Sequence, residues 1–273
     1  MDLESHTAPT PEQIRDMPYV ELLAILAEEN RPPGGYDTIR RMALNCHLRP
    51  GLSVLHAGCN AGYLSRELAR RTGARIVGID IAHAMVRAAD RSAREALLRV
   101  LAYCTADMRA LPFADHTFDV VLSGGALAFV DGQQQALAEW LRVLKPGGLM
   151  ADAEFYYRNE PPVALRSQVA QIIGVQLPLY SRSHWEAVFS HPLLDLYYSS
   201  TGVATTRTAD EVRTYCEQLT VHSAATWSSE SSSALFGRLY EIFSLFNQNN
   251  AYLDYVLFIT RSRPRDAQPT LFG

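Results

Sequence analysis

In VLHAGCNAGYLSREL, residues 54–68, Gly58 and Gly62 flank Asn60 between an apolar run and an amphipathic one. A strand that turns through glycine into a helix brings backbone N–H groups close to a ligand. Dinucleotide folds use a third glycine to seat the pyrophosphate on the helix N-terminus, but here bulky Tyr63 follows Gly62. A shortened Gly-x-Asn-x-Gly turn suits a carboxylate or a ribose better than a diphosphate. The same spacing also serves a tight strand-to-helix turn that binds nothing. Asp80 closes the next apolar run, VGID, where a carboxylate can accept both hydroxyls of a ribose. It can equally cap the helix opening at AHAMVRAAD. Asp107, with Met108 beside it, follows a third run, VLAYCTA. Ligands of open α/β sheets bind at the carboxyl ends of the strands, so a glycine turn and two acids at three successive strand ends make one candidate site.

Other chemistries have less to stand on. The chain holds 25 basic residues, of which only Lys145 is a lysine, and the residue four before it is Leu141. The Tyr-x-x-x-Lys pair of a short-chain dehydrogenase is therefore missing. The four cysteines, Cys46, Cys59, Cys104 and Cys216, form no CxxC pair, so reduced thiols in the cytoplasm are expected. The eight histidines show no metal-ligand spacing, and no metal site is expected. A net charge of -4 argues against a grip on phosphate backbones. No apolar run reaches membrane-spanning length, so no membrane partner is expected.

The elements that must position the site follow from periodicity. From Val54 to Ala153, β-branched runs of five to seven residues alternate with helical patterns such as YLSRELARRTG and QQQALAEWLRVL. This predicts a parallel sheet covered on both faces, a doubly wound α/β core with right-handed connections. Three segments are expected: a helical N-terminal lid over 1–48, the core over 49–156, and a helical cap with the last two strands over 157–273. PEQIRDMPYVELLAILAEE reads as one helix, broken by the NRPPGGYD turn. LDLYYSS and AYLDYVLFITRS read as late strands, and Thr208 as the N-cap of the helix ADEVRTYCEQL.

VLHAGCNAG, VGIDI, ADMRALPFADHTFDVVLS and LKPGG, in that order, resemble the motifs of the class I S-adenosylmethionine-dependent methyltransferases over Val54 to Met150. The resemblance implies a Rossmann-like sheet of seven strands, the last antiparallel, and S-adenosylmethionine as cofactor. It makes Asp80 the ribose ligand with Ile81 beside it, turns Asp107 to the adenine amino group, and lays Met108 against the ring. Ser123 would then face the methyl donor by its backbone, next to Gly124 and Gly125. His56 stands where the family usually carries an acid that helps orient the methionine end, and Asn60 where it carries glycine.

Residues for the methyl acceptor should come from the flanking segments. Tyr36 can cap the methionine end of the cofactor, or simply lie exposed in its turn. Glu154 and Tyr156 share a strand face and, with His184 in RSHWEAVF, are the candidate catalytic side chains. The expected activity is methyl transfer to a small-molecule acceptor in biosynthetic or specialised metabolism. The alternatives are a protein or peptide acceptor and a methyltransferase fold that binds without catalysing. A nucleic-acid acceptor is disfavoured, because the fourth strand ends in Ser123-Gly124-Gly125-Ala126 rather than the Asn/Asp-Pro-Pro-aromatic motif that holds a flipped base.

Overall fold

The computed structural model describes residues 8–26 and 31–263. These form two compact units, each assembled from separated stretches of chain.

The larger unit holds one seven-stranded sheet: β1 (Ser53–Ala57), β2 (Arg75–Asp80), β3 (Leu101–Thr105), β4 (Phe118–Ser123), β5 (Leu144–Tyr157), β6 (Leu194–Val203) and β7 (Leu253–Ser262). Their order is β3-β2-β1-β4-β5-β7-β6. The strands β1 to β5 pair in parallel, and β7 runs antiparallel to both β5 and β6. Strand order reverses between β1 and β4, the switch point beside which ligands of open α/β sheets bind.

Alternation sorts the side chains to two layers. Val54, Ile76, Val120, Leu122 and Ala151 pack with α3 (Gly35–Asn45) and α4 (Tyr63–Thr72). Leu55, Ala57, Val121 and Met150 pack with α6 (Gln133–Val143) and α8 (Arg182–Phe189), whose Trp140 and Trp185 are fully buried. A further helix, α5 (His83–Glu95), follows β2. Because Ile39 and Met42 of α3 sit in one core cluster with Val54 and Leu257, α3 is part of the sheet unit rather than of a separate N-terminal segment ending at residue 48.

The helical unit comprises α1 (Pro11–Asp16), α2 (Tyr19–Leu26), α7 (Val163–Ile173), α9 (Ala209–Ser223) and α10 (Ser229–Asn250). Its core is Ile14, Leu22, Val212, Leu235, Leu239 and Ile242. The single helix expected over PEQIRDMPYVELLAILAEE is two helices over residues 11–26, and its last three positions lie outside the described residues. Met17 is extended, at φ -64° and ψ 131°, as the residue before Pro18 must be to avoid the proline ring. Thr208 does cap α9, in a capping box with Glu211. No helix among the described residues is long and apolar enough to cross a membrane.

Candidate functional site

The glycine turn takes three left-handed residues, Gly58 at φ 71°, Asn60 at 51° and Gly62 at 78°. Asparagine is one of the few side chains that tolerates this region. Its own Oδ1 accepts from Ala61 N at 3.0 Å, which steadies the turn. Asn60 N donates to Asp80 Oδ2 at 2.9 Å and Ala82 N to Asp80 Oδ1 at 2.9 Å. Asp80 thus ties the end of β2 to the turn after β1. It is not the helix cap: Ala82 holds that position, with no side-chain cap. Burial pushes the Asp80 carboxyl pKa up, and the backbone N–H groups oppose the rise.

Two more segments converge on this turn. A β-carbon on Gly58 would collide with Ala126 Cβ, from the loop after β4, and would lie 3.4 Å from Met108 Cε, from the loop after β3. Ala106 N also donates to Asp80 O at 3.1 Å. Gly58, Asp80 and Met108 therefore occupy one neighbourhood. The Asp107 carboxylate faces Arg109, 2.7 Å away, whose guanidinium holds it below its ordinary pKa. Ile81 lies beside Asp80 and is 70% exposed, free to flank a ligand. The far side of the turn is closed by Tyr103, whose hydroxyl sits 2.7 Å from where a Gly62 Cβ would be.

His56 points into the other side of the sheet from Leu55 and Ala57. It is buried, and its Nδ1 bonds Ser65 Oγ of α4 at 2.7 Å. Desolvation lowers its pKa to about 3, so the imidazole is neutral at physiological pH. Tyr36 is half exposed, edge-on to Tyr63 with ring centroids 6.3 Å apart, and the Arg31 guanidinium lies 4.8 Å over its ring.

Beyond β4, Gly124 and Gly125 admit two prolines. Their absent β-carbons would lie 2.9 Å from Pro32 Cβ and 3.2 Å from Pro33 Cδ. The 3-10 turn Leu127–Phe129 that follows is held by several groups. Glu154 Oε1 accepts from Leu127 N at 3.0 Å, Gln133 Nε2 donates to Leu127 O at 3.2 Å, and His184 Nε2 bonds Gln133 Oε1 at 2.9 Å. The His184 ring packs on Tyr180 and Trp185, and desolvation lowers its pKa. Glu154 is 1% exposed and Tyr156 9%, and Asp254 stands opposite Tyr156 in register. Ser123 is fully buried opposite Asp152. The structure therefore gathers Glu154 and His184 around one loop, while Tyr156 lies further along β5.

Sequence reasoning did not single out Asp152, Gln133 or Tyr180, and it reached Pro32 and Pro33 only as part of the NRPPGGYD turn. For Asp152 a signal existed: in LMADAEFYY it alternates with Met150, Glu154 and Tyr156, which places an acid on a buried face.

These residues suit an adenosyl ligand. Each Asp80 oxygen that takes one N–H retains a second lone pair for a ribose hydroxyl, and Met108 and Ile81 supply apolar flanks for a base. Sheet order, glycine turn and strand-end acids together resemble those of the class I S-adenosylmethionine-dependent methyltransferases. Residues 55–151 match the methyltransferase domain family. Over 134 residues the chain is 35% identical to the ubiquinone/menaquinone biosynthesis C-methyltransferase UbiE of Idiomarina loihiensis, covering 48% of this chain and 52% of that one. An uncharacterised protein of Haemophilus influenzae is 26% identical over 170 residues, 61% of this chain and 68% of its own. The crystal structure of MccD protein superposes with a TM-score of 0.70 at 28% identity, covering 86% of this chain and 100% of that chain. The match to UbiE thus spans about half of that protein.

Proposed function

We propose that the chain transfers a methyl group from S-adenosylmethionine to a small-molecule acceptor in a biosynthetic reaction. The observation that carries this reading is the junction at Gly58, where Asp80 is bonded to the turn through Asn60 N and Met108 Cε approaches the glycine. In this reading Asp80 accepts the ribose hydroxyls, while Ile81 and Met108 enclose the adenine. Asp107 presents its carboxylate edge to the adenine amino group once Arg109 yields part of it. Gly58 and Gly62 bring backbone N–H groups to the methionine end, with His56 a neutral neighbour behind them and Tyr36 at the rim.

S-adenosylmethionine, when bound, supplies a methyl group on a cationic sulfur that a nucleophile displaces in line. Such a reaction draws much of its rate from positioning, and the side chains near the loop after β4 are arranged for that. Glu154 bonds Leu127 N and His184 bonds Gln133, so both act by holding the loop rather than by taking a proton. Tyr156 steadies β5 against Asp254. All four cysteines are free thiols, three of them buried, as suits the cytoplasm.

The test uses S-adenosylmethionine labelled at the methyl group, the full chain, and fractionated small-molecule extracts. Label in the small-molecule fraction supports the proposal. Label only in protein would favour a peptide acceptor. Absence of cofactor binding would favour a binding module, the reading that His56 in place of an acid supports.

A further inference from the structure

Asp152 and Glu154 are each 1% exposed and point from β5 to the same face. No donor meets either Asp152 oxygen at full hydrogen-bonding geometry, although the Ser123 hydroxyl opposite it and the Ala153 amide lie near. Its nearest polar groups are Ser123 and Glu154. Two ionised carboxylates side by side in a buried layer, with a hydroxyl and backbone amides but no cation as donors, are strongly unfavourable. The geometry closes if one proton lies between them: Glu154 Oε1 then accepts from Leu127 N, and the other carboxyl edge meets Asp152.

We propose that Asp152 and Glu154 form a single positioning unit, a carboxyl–carboxylate pair sharing one proton, that fixes the 124–130 loop against β5 and so sets the floor of the transfer site. The loop is where this matters, because Ala126 touches the Gly58 turn while Gly124 and Gly125 take Pro32 and Pro33. Burial raises both carboxyl pKa values, each aided or opposed by the other. The groups facing the pair are Ser123 from β4, Val256 and Phe258 opposite on β7, the Leu127 and Ala128 amides from the loop, and Tyr180. Of these only Tyr180 titrates, and its own pKa is raised by burial and by Glu154. No cation among them neutralises the pair. The inference rests on the methyl-transfer reading only for its consequence, not for the proton.

Infrared difference spectra of the full chain between acid and alkaline pH test the proton. The protonated-carboxyl band of the wild type should persist at pH 7 and lose intensity in the Asp152→Asn, Glu154→Gln double variant. Amide hydrogen exchange tests the clamp: Glu154→Leu should speed exchange at Leu127 and Ala128 at least 10-fold, and Glu154→Gln, which still offers an acceptor, should restore it to within about 3-fold. Calorimetry with S-adenosylhomocysteine should show at least 5-fold weaker binding for Glu154→Leu and near wild-type binding for Glu154→Gln. An unchanged carboxyl band in the double variant, or equal exchange in Glu154→Leu and wild type, overturns the proposal. If Glu154→Leu fails to fold, Asp152→Ala replaces it in the exchange test, with Asp152→Asn as the rescue. Wild-type protein that binds no S-adenosylhomocysteine would overturn the function proposed above, while the spectra and exchange still decide the pair.

Discussion

Replacing Gly58 with alanine probes the junction where three strand ends meet. Two costs add. The residue sits at φ 71°, where an L side chain pays about 1–2 kcal/mol. The new β-carbon would also overlap Ala126 Cβ, and overpacking of a fitted contact costs about 1–3 kcal/mol. The sum is about 2–5 kcal/mol, measurable from urea unfolding midpoints at constant slope. Pairing the change with Ala126→Gly separates the terms. Removing the opposing methyl should recover the overpacking share and leave the backbone share of about 1–2 kcal/mol. S-adenosylhomocysteine affinity should fall in Gly58→Ala by about 10-fold or more and partly return in the double variant. A loss below about 1 kcal/mol, or a double variant no better than the single, would refute the claimed contact between the loop after β4 and the glycine turn.

Three further outcomes follow from the same geometry. His56 is buried with its pKa lowered to about 3 from 6.5, so the unfolded chain takes up a proton there before the folded one does. Its contribution is present above pH 6.5 and fades as pH falls towards 3. His56→Gln should therefore remove about 2 kcal/mol of the stability lost between pH 6.5 and 5, read from urea midpoints. Asp107 is held below its ordinary pKa by Arg109, so this pair adds stability above pH 3.8 that is lost on acidification through its folded value. Arg109→Gln should thus destabilise slightly at pH 7 and not at pH 2, while freeing Asp107 for ligand and leaving or tightening S-adenosylhomocysteine affinity. Trp185 is fully buried and its Nε1 donates to Phe155 O at 2.9 Å. Trp185→Ala should cost about 3–5 kcal/mol in unfolding free energy.

Local signals were strong where chemistry and backbone coincide. The strands, the left-handed glycine turn and Asp80 at the end of VGID could be read because β-branched runs, glycine and acid each dictate a backbone state by themselves. The break at Met17-Pro18 was written in the proline but masked by apolar periodicity running through it. What could not be read was which groups spend their hydrogen bonds on the protein itself. Glu154 and His184 look like catalytic candidates in sequence, yet their partners, Leu127 N and Gln133, come from a loop whose path is set by tertiary packing. Asp107 likewise turns to Arg109, two residues along, a local competitor that a motif match passes over. The division into two units was hidden for a similar reason: the helical unit is made of stretches 8–26, 161–176 and 205–252, which only their shared core unites.

The most direct measurement is a calorimetric titration of S-adenosylhomocysteine into the wild type and into Asp80→Asn. Asparagine keeps one oxygen for a backbone N–H but loses the charge that strengthens bonds to the ribose, worth about 1.5–3 kcal/mol. Saturable one-to-one binding that weakens about 10- to 100-fold in the variant is the predicted result. Equal affinities for the two proteins would contradict the account.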